Sequence, residues 1–431
     1  MRERETTVTH RVIRRLARAA SLLILAAAPA GAGGLQLEQV LGNAAAAGFA
    51  RADQPRSFRF PDDLGPHPDF RSEWWYLTLN LTDSDGQPVG VQFTVFRQAL
   101  VPPAARQADA NPWRIEDAWL GHLAVTDGAT GRHVAAERLA RGHPALAGAT
   151  ARPFAVWLDG WRLAETESRG AGGARIVTAG GRPGPATWTL RARTDRVVVA
   201  LDLVALKPPV LQGEAGLSRK GPGQASYYFS VPRLAASGAV TVDGATRRVQ
   251  GRGWFDREWS TSVLGPDQIG WDWFGLHLDN GEDLMAFRLR RRDGARDPHD
   301  HGTWVARDGR ATPLGPKDFT LTPLAYWRDA VGVEWPVAWR LTRTRPSGVE
   351  HLTIVAVQNA QRMDTLITYW EGLVRVQDAD GRPVGAGYME LTGYADRPAD
   401  AESGAQADAQ ADAQVRPDPN RPHPEGAHAR D

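Results

Sequence analysis

Three carboxylates and four indoles crowd one stretch of this chain. Asp256, Glu258 and Asp272 lie among Trp254, Trp259, Trp271 and Trp273. A carboxyl packed against indoles loses hydration, so its pKa rises and it can act as an acid near neutrality. Aromatic faces stabilise a cation. Together these groups match the needs of water addition to a carbon–carbon double bond. Those needs are a proton donor, a lining that tolerates a carbocation, and a base that holds water. Tyr227, Tyr228 and His277 are accessory donors on this reading. The opposing reading makes Asp256, Arg257 and Glu258 an ion-pair network that holds a domain junction.

His67, Glu73 and His122 form a second polar set, suited to ligand binding or acid–base work. Their spacing matches no short metal-ligand pattern. His299-Asp300-His301 has such spacing but falls in a polar stretch expected to be a solvated loop, so no metal is expected. No G-x-S-x-G elbow, phosphate loop or dinucleotide fingerprint occurs, so neither serine-esterase chemistry nor any cofactor is expected. The absence of Cys excludes disulfides, thiolate metal sites and lipoprotein acylation. Charge is balanced at a net +1 with both signs interspersed, which gives no electrostatic case for nucleic acid as a partner. The cations are almost all Arg; Lys occurs only at 207, 220 and 317.

The elements that must position these groups are β-strands. Trp74 to Leu81 alternates, turns through Asp85-Gly86, and continues as Val91 to Arg97, the pattern of a hairpin. Similar runs recur, and Asp-Gly pairs at 85, 127, 159, 243, 308 and 380 mark turns. No long helical period appears.

The pattern also repeats in order. Trp74-Trp75-Tyr76 matches Trp271-Asp272-Trp273, each leading to a Phe-Arg pair, Phe96-Arg97 and Phe287-Arg288. Leu123 to Gly128 matches Trp304 to Gly309. Trp157 and Trp161 match Trp335 and Trp339. Gly251 to Asp256 matches Gly385 to Glu390, so Asp256 corresponds to Glu390. The expectation is an all-β chain of two tandem lipocalin-like antiparallel β-barrels, closed so that edges are removed. Arg97 and Arg288 are expected to stack on Trp at the barrel ends, and the four repeated Trp at 157, 161, 335 and 339 to fill the barrels.

The domain layout reads as a signal peptide at 1–32, a flexible segment at 33–65, a first barrel at 66–260, a second at 261–395 and a disordered tail at 396–431. The leader has a basic region with Arg11, Arg14, Arg15 and Arg18, an apolar run from Ala19 to Ala28, and small residues after it. That predicts a periplasmic or secreted product. The tail repeats Ala, Asp and Gln without an aromatic residue and cannot bury enough apolar area to order itself.

At the level of motifs, His67-Pro68-Asp69-Phe70-Arg71-Ser72-Glu73-Trp74-Trp75-Tyr76 resembles the opening signature of the AttH-like proteins. These are exported bacterial proteins grouped with carotenoid 1,2-hydratase and the fungal kievitone hydratases. Gly253 to Ser260, followed by Gly270 to Phe274, resembles their central signature. Tyr369-Trp370-Glu371-Gly372 and Gly387 to Tyr394 resemble the C-terminal one. The resemblance spans about 58–395. It implies tandem lipocalin-like barrels and, more loosely, water addition to an isoprenoid double bond. The carotenoid hydratases carry a His near the position of Arg257, so the resemblance to them is incomplete there.

The expected function is therefore an exported protein that binds a hydrophobic, isoprenoid or lipid-like small molecule, with hydro-lyase activity of the cofactor-free hydratase type. Asp256, Glu258, Tyr227 and Asp272 are the catalytic candidates. Trp254, Trp259, Trp271, Trp273, His277, His67, Glu73 and His122 are the ligand-binding candidates. Two alternatives stay open: a periplasmic lipophile carrier or accessory of an ABC transporter, and a structural protein with filled barrels. The sequence does not specify an oligomeric state.

Overall fold

The computed structural model describes residues 46–106, 113–166, 186–345 and 348–395. The expected signal peptide, the Gly-rich stretch at 170–185 and the tail at 396–431 lie outside the described residues.

Alternation and Asp-Gly turns produce strands, as expected. The first group is β1 (Ser72–Asp83), β2 (Pro88–Ala99), β3 (Asp117–Asp127), β4 (Arg132–Arg141), β5 (Ala147–Ala151), β6 (Phe154–Leu158), β7 (Trp161–Glu165), β8 (Thr187–Arg193), β9 (Val197–Ala205), β10 (Val210–Leu211), β11 (Leu217–Gly221), β12 (Gln224–Val242) and β13 (Ala245–Ser262). The second is β14 (Gln268–Leu278), β15 (Asp283–Arg291), β16 (His301–Val305), β17 (Ala311–Leu314), β18 (Phe319–Arg328), β19 (Glu334–Arg345), β20 (Gly348–Ala356), β21 (Arg362–Met363), β22 (Tyr369–Gln377) and β23 (Pro383–Thr392).

The first group makes one antiparallel sheet in the order β4-β3-β2-β1-β13-β12-β9-β8-β7-β6-β5, with β10 and β11 added beside β12. The sheet curls until β6 reaches β2, β3 and β4. The second group follows the same path, β17-β16-β15-β14-β23-β22-β20-β19-β18. The chain is all-β, with two lipocalin-like sheets in tandem.

Strand order tests the internal repeat. β1 and β14 occupy equivalent places, as do β13 and β23, and the register agrees: Tyr76 faces Asp256 as Trp273 faces Glu390. The tryptophan match does not hold. Trp157 and Trp161 sit on β6 and β7, on either side of the Asp159-Gly160 turn, whereas Trp335 and Trp339 share β19. By strand order the counterpart of β19 is β8, which carries Trp188. Trp157 also stands outside the barrel, beneath the Arg162 guanidinium, while the other three are fully buried.

Alternation sorts side chains into three layers. Trp75, Leu77 and Leu79 of β1 join Phe255 and Trp259 of β13 inside the first barrel. Phe274, Trp339, Trp370 and Met389 fill the second. The opposite faces of the same strands meet each other: Tyr76, Tyr228, Trp254, Trp273, Phe287 and Tyr388 form a middle layer between the sheets. Both barrel interiors are occupied by large side chains, and the open space lies between the two sheets.

Residues 46–65, expected to be flexible, are seated on the first barrel. Phe58 packs on Trp259 and Phe229, and the Tyr227 hydroxyl donates to the Gln54 carbonyl at 2.8 Å. A few anchoring aromatics suffice to dock a segment that has no periodicity of its own.

Candidate functional site

β13 positions the centre of the site. Both of its faces are buried along Gly253–Ser262. Its even-numbered residues, Trp254, Asp256 and Glu258, turn away from the first barrel and toward the second sheet. There they line, or lie beside, a cavity of about 60 Å³. That volume holds a handful of waters or one end of a larger molecule. β1 and β2 contribute Trp74, Tyr76, Thr94 and Phe96; β11 and β12 contribute Ser218, Lys220 and Tyr228. The second sheet closes the other side with Trp271, Trp273, Phe287, Tyr369 and Glu390. Trp74, Phe96 and Trp271 are only partly buried.

Asp256 is held by neutral donors. Ser230 Oγ donates to Oδ1 at 2.5 Å and Trp254 Nε1 to the same oxygen at 2.7 Å; Tyr228 Oη donates to Oδ2 at 2.7 Å. Burial raises its pKa to about 7, against the opposing effect of these hydrogen bonds and with help from the nearby charge of Glu258. Trp273 Nε1 donates to Tyr228 Oη at 3.1 Å, which fixes that hydroxyl.

Glu390, its repeat counterpart, accepts a hydrogen bond from Trp271 Nε1 at 3.1 Å. Burial raises its pKa to about 8; Asp256 and Glu258 add to the rise, while Trp271 and Lys220 oppose it. Directly across the strand pair lies Glu371. Burial, then the charge of Glu390, lifts Glu371 well above the usual carboxylate range, although Tyr76 donates to it at 2.7 Å. Like charges opposite each other on one sheet face are unfavourable, so this pair retains a proton. Glu258 differs: it forms a buried ion pair with Lys220 and accepts a hydrogen bond from Ser226. The cavity therefore combines proton-bearing carboxyls, one ion pair and aromatic walls.

Asp256, Glu258, Trp271 and Trp273 line this cavity, and Trp254 supports Asp256 from behind. Other nominated residues lie elsewhere. Tyr227 faces the first barrel; its neighbour Tyr228 takes the place at Asp256. Trp259 is in the first-barrel core, stacked on the His67 ring at 3.7 Å. Asp272 pairs with Arg288 at 2.6 Å and accepts from Tyr394 at 2.8 Å at one end of the second barrel. His277 faces the middle layer but is tied to Asp283 at 2.8 Å.

The proposed set of His67, Glu73 and His122 is split between two places. His67 and Glu73 belong to a buried ion-pair cluster at one end of the first barrel. There Arg97 and Arg257 both contact Glu73, and Asp63 accepts from His67. His122 is behind the cavity, with Nδ1 at 2.8 Å from the Tyr369 hydroxyl and Nε2 at 3.2 Å from Glu137. The expected Asp256-Arg257-Glu258 network is absent because adjacent strand residues point to opposite faces. Arg257, not Arg97, stacks in the first barrel, 3.9 Å from the Trp75 ring centre; Arg288 lies over Trp339 as expected.

Tyr76, Lys220, Tyr369, Glu371 and Glu390 are site groups that sequence reasoning did not nominate. Glu390 had a signal in its match to Asp256, and Lys220 in its rarity. His299-Asp300-His301 is not a solvated loop: Asp300 is buried and accepts from the Leu289 amide at 2.9 Å. His301 lies within 3.2 Å of the cavity-lining Ser218. Among the described residues no group of His, Asp and Glu has the geometry to hold a metal ion.

A family model described as AttH-like matches residues 51–394. The chain belongs to the AttH-like family. A Nitrosomonas europaea protein assigned to AttH has a similar crystal structure, at 31% identity and TM-score 0.67, covering 80% of this chain and all of that one. Kievitone hydratase from Nectria haematococca shares the fold, at 16% identity and TM-score 0.56, covering 83% of this chain and 98% of that one. No curated protein matches by sequence. The AttH-like motifs fall on the strands that build the middle layer: β1, β13, β14, β22 and β23. The residue that departs from the carotenoid hydratase pattern, Arg257, is turned into the first barrel and does not line the cavity.

Proposed function

We propose that this AttH-like chain seats the unsaturated end of a hydrophobic small molecule between its two barrels and adds water across a double bond there. One observation carries the reading: Asp256 and Glu390, equivalent residues of the two halves, both present carboxyls with raised pKa to one aromatic-walled cavity. A protonated carboxyl donates to the alkene carbon, and the π electrons form the new C–H bond. The neighbouring cation is then faced by Trp74, Trp271, Trp273 and Phe287. Water attacks it and gives up a proton to a carboxylate, which returns the site to its starting charge. The structural likeness to kievitone hydratase supports the fold needed for this, and export through the leader would place the chain in the periplasm.

The experiment offers acyclic isoprenoid alkenes in isotopically labelled water and follows label in the alcohol by mass spectrometry. Label that is lost in both Asp256→Asn and Glu390→Gln, with folding retained, supports hydration. Tight binding without label in the wild type replaces this reading with the carrier one. The partly buried rim of Trp74, Phe96 and Trp271 is the feature that favours a carrier, because it allows entry without chemistry.

A further inference from the structure

Lys220 is the cavity group that hydration leaves unused. The chain uses Arg for nearly every cation and keeps three lysines. Each sits differently. Lys317 is exposed. Lys207 uses all three N–H bonds: it donates to the carbonyls of Gly281 at 2.7 Å and Ala306 at 2.8 Å and pairs with Asp283 at 2.7 Å. Lys220 is buried too, but among the described residues its only acceptor is Glu258. Its other N–H bonds face ring walls, with Nζ 5.7 Å from the Trp74 centre and 5.3 Å from the Phe287 centre. An Arg fork would serve for a structural ion pair, whereas an amine serves as a nucleophile.

We propose that Lys220 captures a hydrophobic aldehyde in this cavity as a protonated imine, with Glu258 as its counter-ion. Glu258 takes one ammonium proton. The freed nitrogen pair then attacks the carbonyl carbon, and the C–N bond forms as the carbonyl π pair moves onto oxygen. A second N–H proton passes to that oxygen. The proton held by Glu258 returns to it, the C–O bond breaks and water leaves as C=N forms. The sum is ammonium plus aldehyde to iminium plus water, with nothing oxidised or reduced. The iminium keeps the positive charge of Lys220, so the pair with Glu258 and the facing rings continue to stabilise it. A flat, conjugated aldehyde suits the Trp74, Trp271 and Phe287 walls best.

The capture shares the cavity with the proposed hydration but not its chemistry, so the two succeed or fail separately. The full chain is incubated with cinnamaldehyde or citral and cyanoborohydride, and the reduced adducts are mapped by peptide mass spectrometry. The expected result is a single dominant adduct at Lys220, formed roughly tenfold faster than at exposed Lys317 because Glu258 stands in contact to take the ammonium proton and the ring walls hold the aldehyde beside Nζ. Lys220→Arg keeps the cation and abolishes that adduct, with an unchanged near-ultraviolet tryptophan circular dichroism spectrum as the fold control. Glu258→Gln slows adduct formation. Labelling of the wild type at Lys317 and the α-amino group alone, or at all amines at equal rates, overturns the proposal whatever the variants do.

Discussion

Ion pairs and proton-bearing carboxyls do opposite things to this protein as pH changes. Asp256 has a folded pKa of about 7 against an ordinary 3.8, and Glu390 about 8 against 4.5. In both, the folded chain holds a proton that the unfolded chain releases. Stability from these groups is full below their ordinary values and declines as pH rises through the window up to about 7 and about 8. Replacing them by Asn and Gln should flatten the fall in thermal midpoint between pH 5 and 8, relative to wild type. Hydration, if it uses the acid forms, should fall over the same range. Glu73 has the reverse sign: burial works against its charge, but Arg97 and Arg257, with His67, hold it well below the usual range. Its contribution is present above its ordinary 4.5 and is lost on acidification. Glu73→Gln leaves two buried guanidinium groups short of an anion and should cost about 3–5 kcal/mol in urea denaturation at pH 7. Asp256 was legible as a carboxyl among indoles. Tyr227 and Tyr228 were both legible as donors; that Tyr228 is the one at Asp256 requires knowing which face of β12 is which.

The central strands have two buried faces, and this is why alternation failed as a guide there. Along β1, β12 and β13 one face fills a barrel and the other fills the middle layer, so the apolar-polar rhythm that marks inside and outside is lost. Glycine marks the places where these strands approach most closely. A Cβ on Gly251 would collide with the Asn80 carbonyl, and one on Gly387 with the Gly275 carbonyl. The carbonyls belong to paired backbone and cannot swing away. Gly251→Ala and Gly387→Ala should each cost about 1–3 kcal/mol by chemical denaturation, as overpacked sites do. Gly387→Ala should also disturb the contact between the sheets, since the Gly387 carbonyl accepts from Asn80 of the first sheet at 2.6 Å. The repeated Gly-x-Gly was visible in sequence; the strand pairing that demands it was not.

Across the whole molecule the two sheets are joined by buried polar contacts as well as by aromatic packing. Asp283 on β15 receives Lys207 and Arg233 from the first sheet, the latter at 2.8 Å, besides its own-sheet partner His277. Thr126 donates to Gln361 at 2.9 Å and Thr303 to Gln212 at 2.5 Å. Domains coupled this way should unfold together, and calorimetry of the wild type should show one transition. Asp283→Asn strands two buried cations, so it should cost about 3–5 kcal/mol and split or broaden that transition.

Composition, alternation and turn pairs determined the all-β class, the duplication and the family, because those depend on local propensity and on long motifs that survive without coordinates. They also identified the segment around Asp256. The tertiary structure decided that the barrels are filled and that the cavity lies between them. It separated His122 from His67 and Glu73, and brought Glu390, Glu371, Tyr369 and Lys220 to the same space as Asp256. The physical reason is that a strand residue's face is set by pairing register and by what covers the sheet. Residues hundreds of positions apart share a cavity only once two curved sheets are packed face to face.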